Sequence, residues 1–360
     1  MKKGRVLLIT PNLKGIADGV NRIQPSLGLM LIAPILEKDG HKVKIYDTAL
    51  DGWVNREVID PKNNVVMIGQ TEDKIAKVVS DFSPDIVAIS VLFSNLLESA
   101  HNIAKIIKKV KKSTTVILGG NHISSMVADY KISKLDKNSN LPNFIKDLEN
   151  DHFDLAITGE GEFSMAKLVN ALLNKEDINN IPGLVKKIGN KKYLINNSSR
   201  INDLNVLPRP ARHLVDMESY FKIGAFHSAK SRSKRVLSVM CSRGCPEKCT
   251  FCSTPQMWGT NTRWRNTPHI MNEISNDVKD FKIGEIQFDD DTITVNKKNL
   301  FSLCSELEKL GLPWCTPNGT KVNYHFNKQE EMYKVMAESG CYQITLACES
   351  GVQRVLDKII

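Results

Sequence analysis

Short apolar runs of four or five residues alternate with longer amphipathic stretches along most of this 360-residue chain. That alternation constrains the fold more than any other feature. A short apolar run bounded by turn residues suits a strand buried on both faces, and parallel strands need helical crossovers between them. Strands are predicted over residues 6–9, 42–46, 86–90, 115–118 and 155–158, with helices over 27–36, 96–110 and from after Glu162 to about 173. A second series starts at residue 236. It has strands over 236–240, 285–288, 314–317 and 342–348, and helices over 268–279, 300–310, 330–338 and from Val352 onward. The implied class is α/β: a doubly wound parallel sheet, then a further set of four βα units. Ligands of such sheets sit outside the carboxyl ends of the strands. The loops after Ile9, Ser90, Leu118 and Thr158 therefore form a candidate ligand edge.

Residues 1–180 are read as a first domain, 181–235 as a connector and 236–360 as a second domain. Within the connector, Ile181-Pro182-Gly183-Leu184 starts a hairpin and Leu207-Pro208-Arg209-Pro210 is extended, because a residue before proline avoids the helical region. Residues 228–235 are polar and basic enough for an exposed link, and residues 128–150 read as a polar surface insertion. A composition of 41% hydrophobic and 25% charged residues excludes disordered and collagen-like chains. No apolar run approaches the ~18 residues of a membrane-spanning helix. The apolar stretch after the basic start covers only residues 6–9, too short for a signal peptide. The expectation is a cytoplasmic chain with no transmembrane segment. The net charge of +9 is a mild, lysine-rich excess. Lys105, Lys108, Lys109, Lys111 and Lys112 recur at helical spacing beside Ile103, Ile106, Ile107 and Val110. That is the pattern of a solvated helix face, and no nucleic-acid partner is expected.

All eight cysteines lie beyond residue 240, and four of them fall within twelve residues. A secreted disulfide scaffold would spread them through a short chain. Cys245, Cys249 and Cys252 form a Cys-x3-Cys-x2-Cys loop after a predicted strand. Three close thiolates can wrap one face of a soft metal centre. Two readings follow. With Cys241 as a fourth thiolate the site closes as structural zinc. Without it, a [4Fe-4S] cluster on three thiolates leaves one iron open to a small molecule. The spacing favours the open cluster, since paired zinc knuckles separate two close pairs by a longer spacer. Cys304, Cys315, Cys341 and Cys348 read as packing residues. Asp289-Asp290-Asp291 could bind a divalent metal or form an acidic turn, and His122, after a Gly-Gly loop, could face a ligand.

The cysteine loop, with Phe251 before its last cysteine and Ser242-Arg243-Gly244-Cys245-Pro246 ahead of it, resembles the signature of radical S-adenosylmethionine (SAM) enzymes. The Asp289-Asp290 strand end is similar to the family's contact with the methionine part of SAM, and Glu349-Ser350-Gly351 to its ribose-contacting strand end. Upstream, Pro25-Ser26-Leu27-Gly28-Leu29, Gly40-His41-x-Val43 and Pro84 to Ser90 resemble the cobalamin-binding domains that precede many such enzymes. Ser90-Val91-Leu92 and Gly119-Gly120 are similar to the elements lining the cobalamin tail, and Gly159-Glu160-Gly161-Glu162 also recurs there. The chain thus resembles the B12-binding-domain-containing radical SAM enzymes.

That resemblance implies a Rossmann-like cobalamin-binding domain followed by a partial radical SAM (β/α) barrel. It implies a [4Fe-4S] cluster on Cys245, Cys249 and Cys252. SAM would lie beside Phe251, Asp289, Asp290, Glu349 and Ser350, and cobalamin beside Ser90, Leu92, Gly119, Gly120, Gly159 and Glu160. The implied reaction is reductive cleavage of SAM to a 5′-deoxyadenosyl radical, serving cobalamin-dependent methylation of an unactivated carbon. Alternatives are a rearrangement or cyclisation with cobalamin as redox partner or absent, and a non-catalytic cobalamin or metal-binding fragment. The implied partners are a small-molecule or natural-product substrate and an electron donor such as flavodoxin or ferredoxin. Two departures stand out. The loop from Thr10 to Pro25 has no histidine, so the Asp-x-His-x-x-Gly motif that binds cobalt from below is absent. Four βα units stand where the family has six, which leads us to expect a fragment or a truncated gene product.

Overall fold

The computed structural model of the chain describes residues 2–135, 152–189, 192–228, 230–322, 324–325 and 328–359. It divides into two compact units. The first comprises Met1–Asn21, Pro25–Arg200 and Pro208–Asp216; the second comprises Arg22–Gln24, Ile201–Leu207 and Met217–Ile360.

The first unit runs β1 (Arg5–Thr10), β2 (Leu13–Ile16), α1 (Leu27–Lys38), β3 (Lys42–Asp47), α2 (Thr48–Asp51), β4 (Arg56–Asp60), β5 (Val65–Ile68) and α3 (Glu72–Phe82). It continues with β6 (Ile86–Ser90), α4 (Leu97–Val110), β7 (Thr115–Gly119), α5 (Asn121–Leu135), β8 (Leu155–Ile157), α6 (Gly161–Asn174), β9 (Leu184–Gly189) and β10 (Lys192–Ile195). The main sheet is ordered β10-β9-β8-β7-β6-β1-β3, and β2, β5 and β4 form a small antiparallel sheet of their own. The pairs from β3 through β8 are parallel, whereas β9 and β10 add an antiparallel hairpin. Strand β1 shows why the short apolar runs take this form. Side chains alternate between sheet faces, so a strand covered on both sides must be apolar throughout. Val6 and Leu8 enter one core with residues of α1 and α6, and Leu7 and Ile9 enter the other with residues of α3 and α4. Helix α4 buries Ile103, Ile106 and Ile107 while Lys105 and Lys109 stay exposed, as the spacing predicts.

The second unit runs α7 (Met217–Ile223), β11 (Val236–Val239), β12 (Ser242–Arg243), α8 (Thr254–Trp258), β13 (Arg263–Trp264), α9 (Thr267–Phe281) and β14 (Glu285–Phe288). It ends with α10 (Lys297–Leu310), β15 (Trp314–Lys321), α11 (Gln329–Glu338), β16 (Cys341–Ala347) and α12 (Gln353–Ile359). Strands β11, β14, β15 and β16 form a parallel sheet in that order. Helix α9 starts where the sequence marks it: the Asn266 side chain accepts from the His269 amide and Pro268 occupies the first turn. Within β14, Phe288 meets Trp314 edge to face at 5.4 Å. Glu285 and Gln287 alternate with these apolar residues and are fully buried, so each needs partners. Glu285 accepts from the Arg232 and Ser233 amides and the Tyr342 hydroxyl. Gln287 accepts from the Ser228 amide and donates to Ser231.

Four expectations change here, in whole or in part. The 181–235 connector is not a separate element: its hairpin completes the first sheet as β9 and β10, residues 208–216 join the first unit, and residues from 217 join the second. The exposed link at 228–235 holds at Lys230, Arg232 and Lys234, but Ser228 is buried, because its amide satisfies the buried Gln287 side chain. The insertion read over 128–150 begins as helix, since α5 runs to Leu135, and residues 136–150 lie outside the described residues. Strand β15 also outruns its predicted end at 317, through a register shift between Thr316 and Gly319.

Candidate functional site

Counted in chain order, the parallel strands of the first unit read 2-1-3-4-5, which puts the topological switch between β1 and β6. Crossovers leave to opposite faces at such a point, which is where sheets of this kind place their ligand crevice. Thr10 ends β1 there, and its hydroxyl is buried without a hydrogen-bond partner. Ser90 ends β6 opposite Gly119, the last residue of β7. The Val91 amide donates to the Gly119 carbonyl at 2.7 Å, and the His122 amide donates to the Val91 carbonyl at 3.1 Å. The Ser-x-Leu and Gly-Gly segments are thus laced together through backbone. Gly120 has φ +103°, and a Cβ there would stand 2.5 Å from the Val91 oxygen, so only glycine fits. Leu92 and Phe93 are exposed beside them. On the next strand end, the Gly159 amide donates to Ser124, while Glu160 is buried at the start of α6. The six residues expected at cobalamin therefore end three adjacent strands, β6, β7 and β8. His122 lies beside them, with Nδ1 3.1 Å from the Ser94 hydroxyl.

In the second unit, the loop after β11 carries the three cysteines. Its base is the short ladder of β12 and β13, and the Cys245 amide donates to the Gly259 carbonyl. Gly244 has φ +99°, and a Cβ there would meet the Asn261 oxygen at 2.6 Å, so the glycine before Cys245 lets the ladder close. The Cys252 amide donates to the Cys249 carbonyl at 3.1 Å, folding the second and third cysteines into one turn. All three are partly exposed. Cys241 is different. It is fully buried, and its charged neighbours are Asp290, Arg265 and Glu273. Those of Cys249 are Cys252, Glu247 and Glu349. Cys241 is thus sealed in the core while the other three thiols are partly exposed, which argues against its joining them as a fourth zinc ligand. Among the described residues, no three His, Cys, Asp or Glu side chains already stand in metal-binding geometry.

The acidic turn after β14 proves to be the frame of this loop. Asp290, 2% exposed, accepts from the Cys241 amide at 3.0 Å and from the Ser242 hydroxyl at 2.5 Å. Asp291 accepts from Thr254 at 3.3 Å and from the Gly244 amide. The two carboxylates thus hold both the entry and the exit of the cysteine loop. Burial pushes Asp290 up to about 7, against these hydrogen bonds, and it also raises Asp291. The expected SAM contact at Asp290 is thereby redirected, because both of its oxygens are engaged within the loop. Asp289 is more open: His227 Nδ1 and Gln24 Nε2 approach its two oxygens at 3.4 Å. Phe251 is 59% exposed on the loop. Glu349, with φ +51°, is exposed, and its charge adds a small upward push to the Cys249 thiol. Ser350 Oγ accepts from the Val352 amide at the start of α12. Burial raises the Cys245 and Cys249 thiols, so a metal would have to displace their protons.

Several contributors escape sequence reasoning. Asn318 donates to the carbonyls of Asp289 and Asp290 at 3.0 Å each, which fixes the irregular stretch of β15. Its only sequence signal is the Asn-Gly pair after Pro317. Glu247, between the first two cysteines, accepts from Lys321 at 2.5 Å and from the Tyr324 hydroxyl at 2.8 Å. Partial burial would raise Glu247, but these two donors outweigh it and hold it below the usual carboxylate range. Gln24 and His227 carry no local signal, because their role depends on contacts with residues far along the chain.

The chain resembles known proteins in both sequence and fold. Residues 13–137 match the family model described as B12 binding domain. The chain is 31% identical over 377 aligned residues to cytidylyl-2-hydroxyethylphosphonate methyltransferase of Streptomyces wedmorensis, covering 99% of this chain and 67% of that protein. It superposes on the radical SAM methyltransferase TsrM of Kitasatospora setae, solved with cobalamin and a [4Fe-4S] cluster, with a TM-score of 0.67 and 15% identity, covering 99% of this chain and 63% of TsrM. It superposes on OxsB, a cobalamin-dependent SAM radical enzyme solved with aqua-cobalamin, with a TM-score of 0.71 and 17% identity, covering 99% of this chain and 46% of OxsB. The chain thus spans about two thirds of the curated relative and 46–63% of the two solved proteins. Among the described residues, no helix is long and apolar enough to cross a membrane.

Proposed function

Because this chain belongs to the cobalamin-dependent radical SAM enzymes, we propose that it methylates an unactivated carbon of a small-molecule substrate, with SAM, a [4Fe-4S] cluster and cobalamin as cofactors. One observation carries the reading. Three partly exposed thiols share one loop while the fourth nearby thiol, Cys241, is sealed in the core. That donor set fits a cluster with one open iron and does not fit a closed tetrahedral site. When bound, the cluster would supply the electron that cleaves SAM to a 5′-deoxyadenosyl radical, and cobalamin the transferable methyl group.

The chain's own residues have separable tasks. Cys245, Cys249 and Cys252 would hold the cluster after losing their thiol protons. Asp290 and Asp291 keep the two ends of their loop in place. Asp289 and Glu349, the more accessible acids at neighbouring strand ends, are the groups we assign to SAM's polar substituents, with exposed Phe251 beside its adenine. In the first unit, Ser90, Gly119, Gly120 and Gly159 leave backbone open for close approach of a bulky tail. Leu92 adds apolar surface, and the orphaned Thr10 hydroxyl points to a polar ligand atom at the switch. With no histidine in the loop after β1, the lower face of a bound corrinoid would lack an imidazole from that loop.

The test is anaerobic reconstitution of the chain with iron, sulfide and hydroxocobalamin, followed by SAM turnover under a strong reductant. The expected result is about four irons per chain, a corrinoid absorption spectrum and release of 5′-deoxyadenosine. A tetrahedral zinc that includes the Cys241 sulfur would overturn the reading.

A further inference from the structure

Strand β15 does more than complete the sheet. After its register shift it runs on to Lys321, and Asn318 pins the shifted stretch to the carbonyls of Asp289 and Asp290. This places Lys321 and Tyr324 against the cysteine loop, where both reach the same acceptor. Lys321 Nζ is 2.5 Å from one oxygen of Glu247, and the Tyr324 hydroxyl is 2.8 Å from the other. The Lys321 ammonium also lies over the Tyr324 ring at 5.9 Å from its centre. The ion pair is shielded, with the side chains 28% and 23% exposed. Glu247 sits midway between Cys245 and Cys249, so whatever holds it holds the span joining the first two thiols.

We infer that Lys321 and Tyr324 are positioning residues that act through Glu247, clasping the Cys245–Cys249 span and slowing loss of the metal cluster it carries. The inference rests on the proposed cluster assignment. A surface ion pair is worth little, and one on a mobile loop less. Here two donors converge on one partly buried carboxylate, and both come from a segment already fixed by Asn318. The remainder of the loop is held at its ends by Asp290 and Asp291, which leaves its middle to Glu247. Glu247 is not a metal ligand in this scheme, since both of its oxygens are occupied.

The test compares wild type with K321M, Y324F, E247Q and K321R in two measurements. The first is amide hydrogen exchange of the metal-free full chain under reductant. Exchange over residues 245–252 should be roughly tenfold faster in K321M and E247Q and a few-fold faster in Y324F, with the β11 amides unchanged. K321R should restore most of the protection, because it keeps the charge and the donors. The second is iron release from the reconstituted chain to a chelator, which should accelerate in the same order. Protection over 245–252 that is unchanged in K321M and Y324F overturns the clasp. Faster exchange with wild-type iron release overturns its role in cluster retention. A wild-type chain that never takes up iron defeats the cluster assignment and with it the retention role, while the metal-free exchange still decides whether the clasp holds the loop.

Discussion

Strand β6 of the first unit ends at Ser90, and the edge beyond it is built of backbone. Val91 is joined to Gly119 and His122 by main-chain hydrogen bonds, and the fit depends on Gly120. Strand β14 of the second unit is followed by Asp289, Asp290 and Asp291, and the edge beyond it is built of side chains. Each material suits a different cofactor. A large corrinoid needs close approach over a long surface, which side chains would obstruct. A small cluster needs a loop held from several directions, which backbone alone does not supply. The two edges should therefore fail differently when altered.

The largest effect belongs to the second edge. C249A removes one of three thiols, and the nearby Cys241 is too deeply buried to take its place. Iron uptake and SAM cleavage should both fall to background, read by iron analysis and by 5′-deoxyadenosine release. Corrinoid binding should survive in the same protein, since none of its assigned residues lies in the second unit. Undiminished SAM cleavage in C249A would reject the cluster assignment.

The first edge should break at a glycine. G120A places a Cβ 2.5 Å from the Val91 oxygen at a φ of +103°, costing about 3 kcal/mol by strain. Urea unfolding of the first unit should register that loss, and hydroxocobalamin titration should show weaker binding. S90A at the neighbouring strand end should change unfolding by less than about 1 kcal/mol. If G120A and S90A behaved alike, the edge would not be built from backbone.

The same contrast explains what was legible from sequence. The strand ends of the first edge were legible, because apolar runs and glycine pairs are local signals, whereas the residues assigned to cobalamin came from the resemblance. The cysteine loop stood out by its spacing. The acidic turn was visible but misjudged in part. Asp290 stands where a ligand contact was expected, yet it spends both oxygens on Cys241 and Ser242, 49 and 48 residues away in sequence. No local pattern distinguishes a carboxylate that faces a ligand from one that folds back on a loop. The connector failed for a related reason: Ser228 and its neighbours look polar enough for solvent, but buried Glu285 and Gln287 recruit them. Lys321 and Tyr324 were missed because their position depends on a register shift that adds four residues to a strand read as ending at 317.

The smallest effect concerns the protonation of the acidic frame. Burial is the largest influence on Asp290 and lifts it from 3.8 to about 7, despite the hydrogen bonds from Ser242 and Cys241. The folded state therefore keeps a proton that the unfolded chain releases. Below about pH 4 both states are protonated and this stabilising contribution is complete; it declines as the pH rises through about 7 and is constant above. In D290N the side chain cannot ionise, so that decline should vanish. Urea unfolding of the second unit at pH 5 and pH 7.5 checks it, with the two proteins compared at each pH so that other titrating groups cancel. The stability deficit of D290N should be larger at pH 5 and should shrink at pH 7.5. Parallel pH dependence in the two proteins would mean that Asp290 is ionised throughout. The second edge would then be held by a charged carboxylate and not by a largely neutral one.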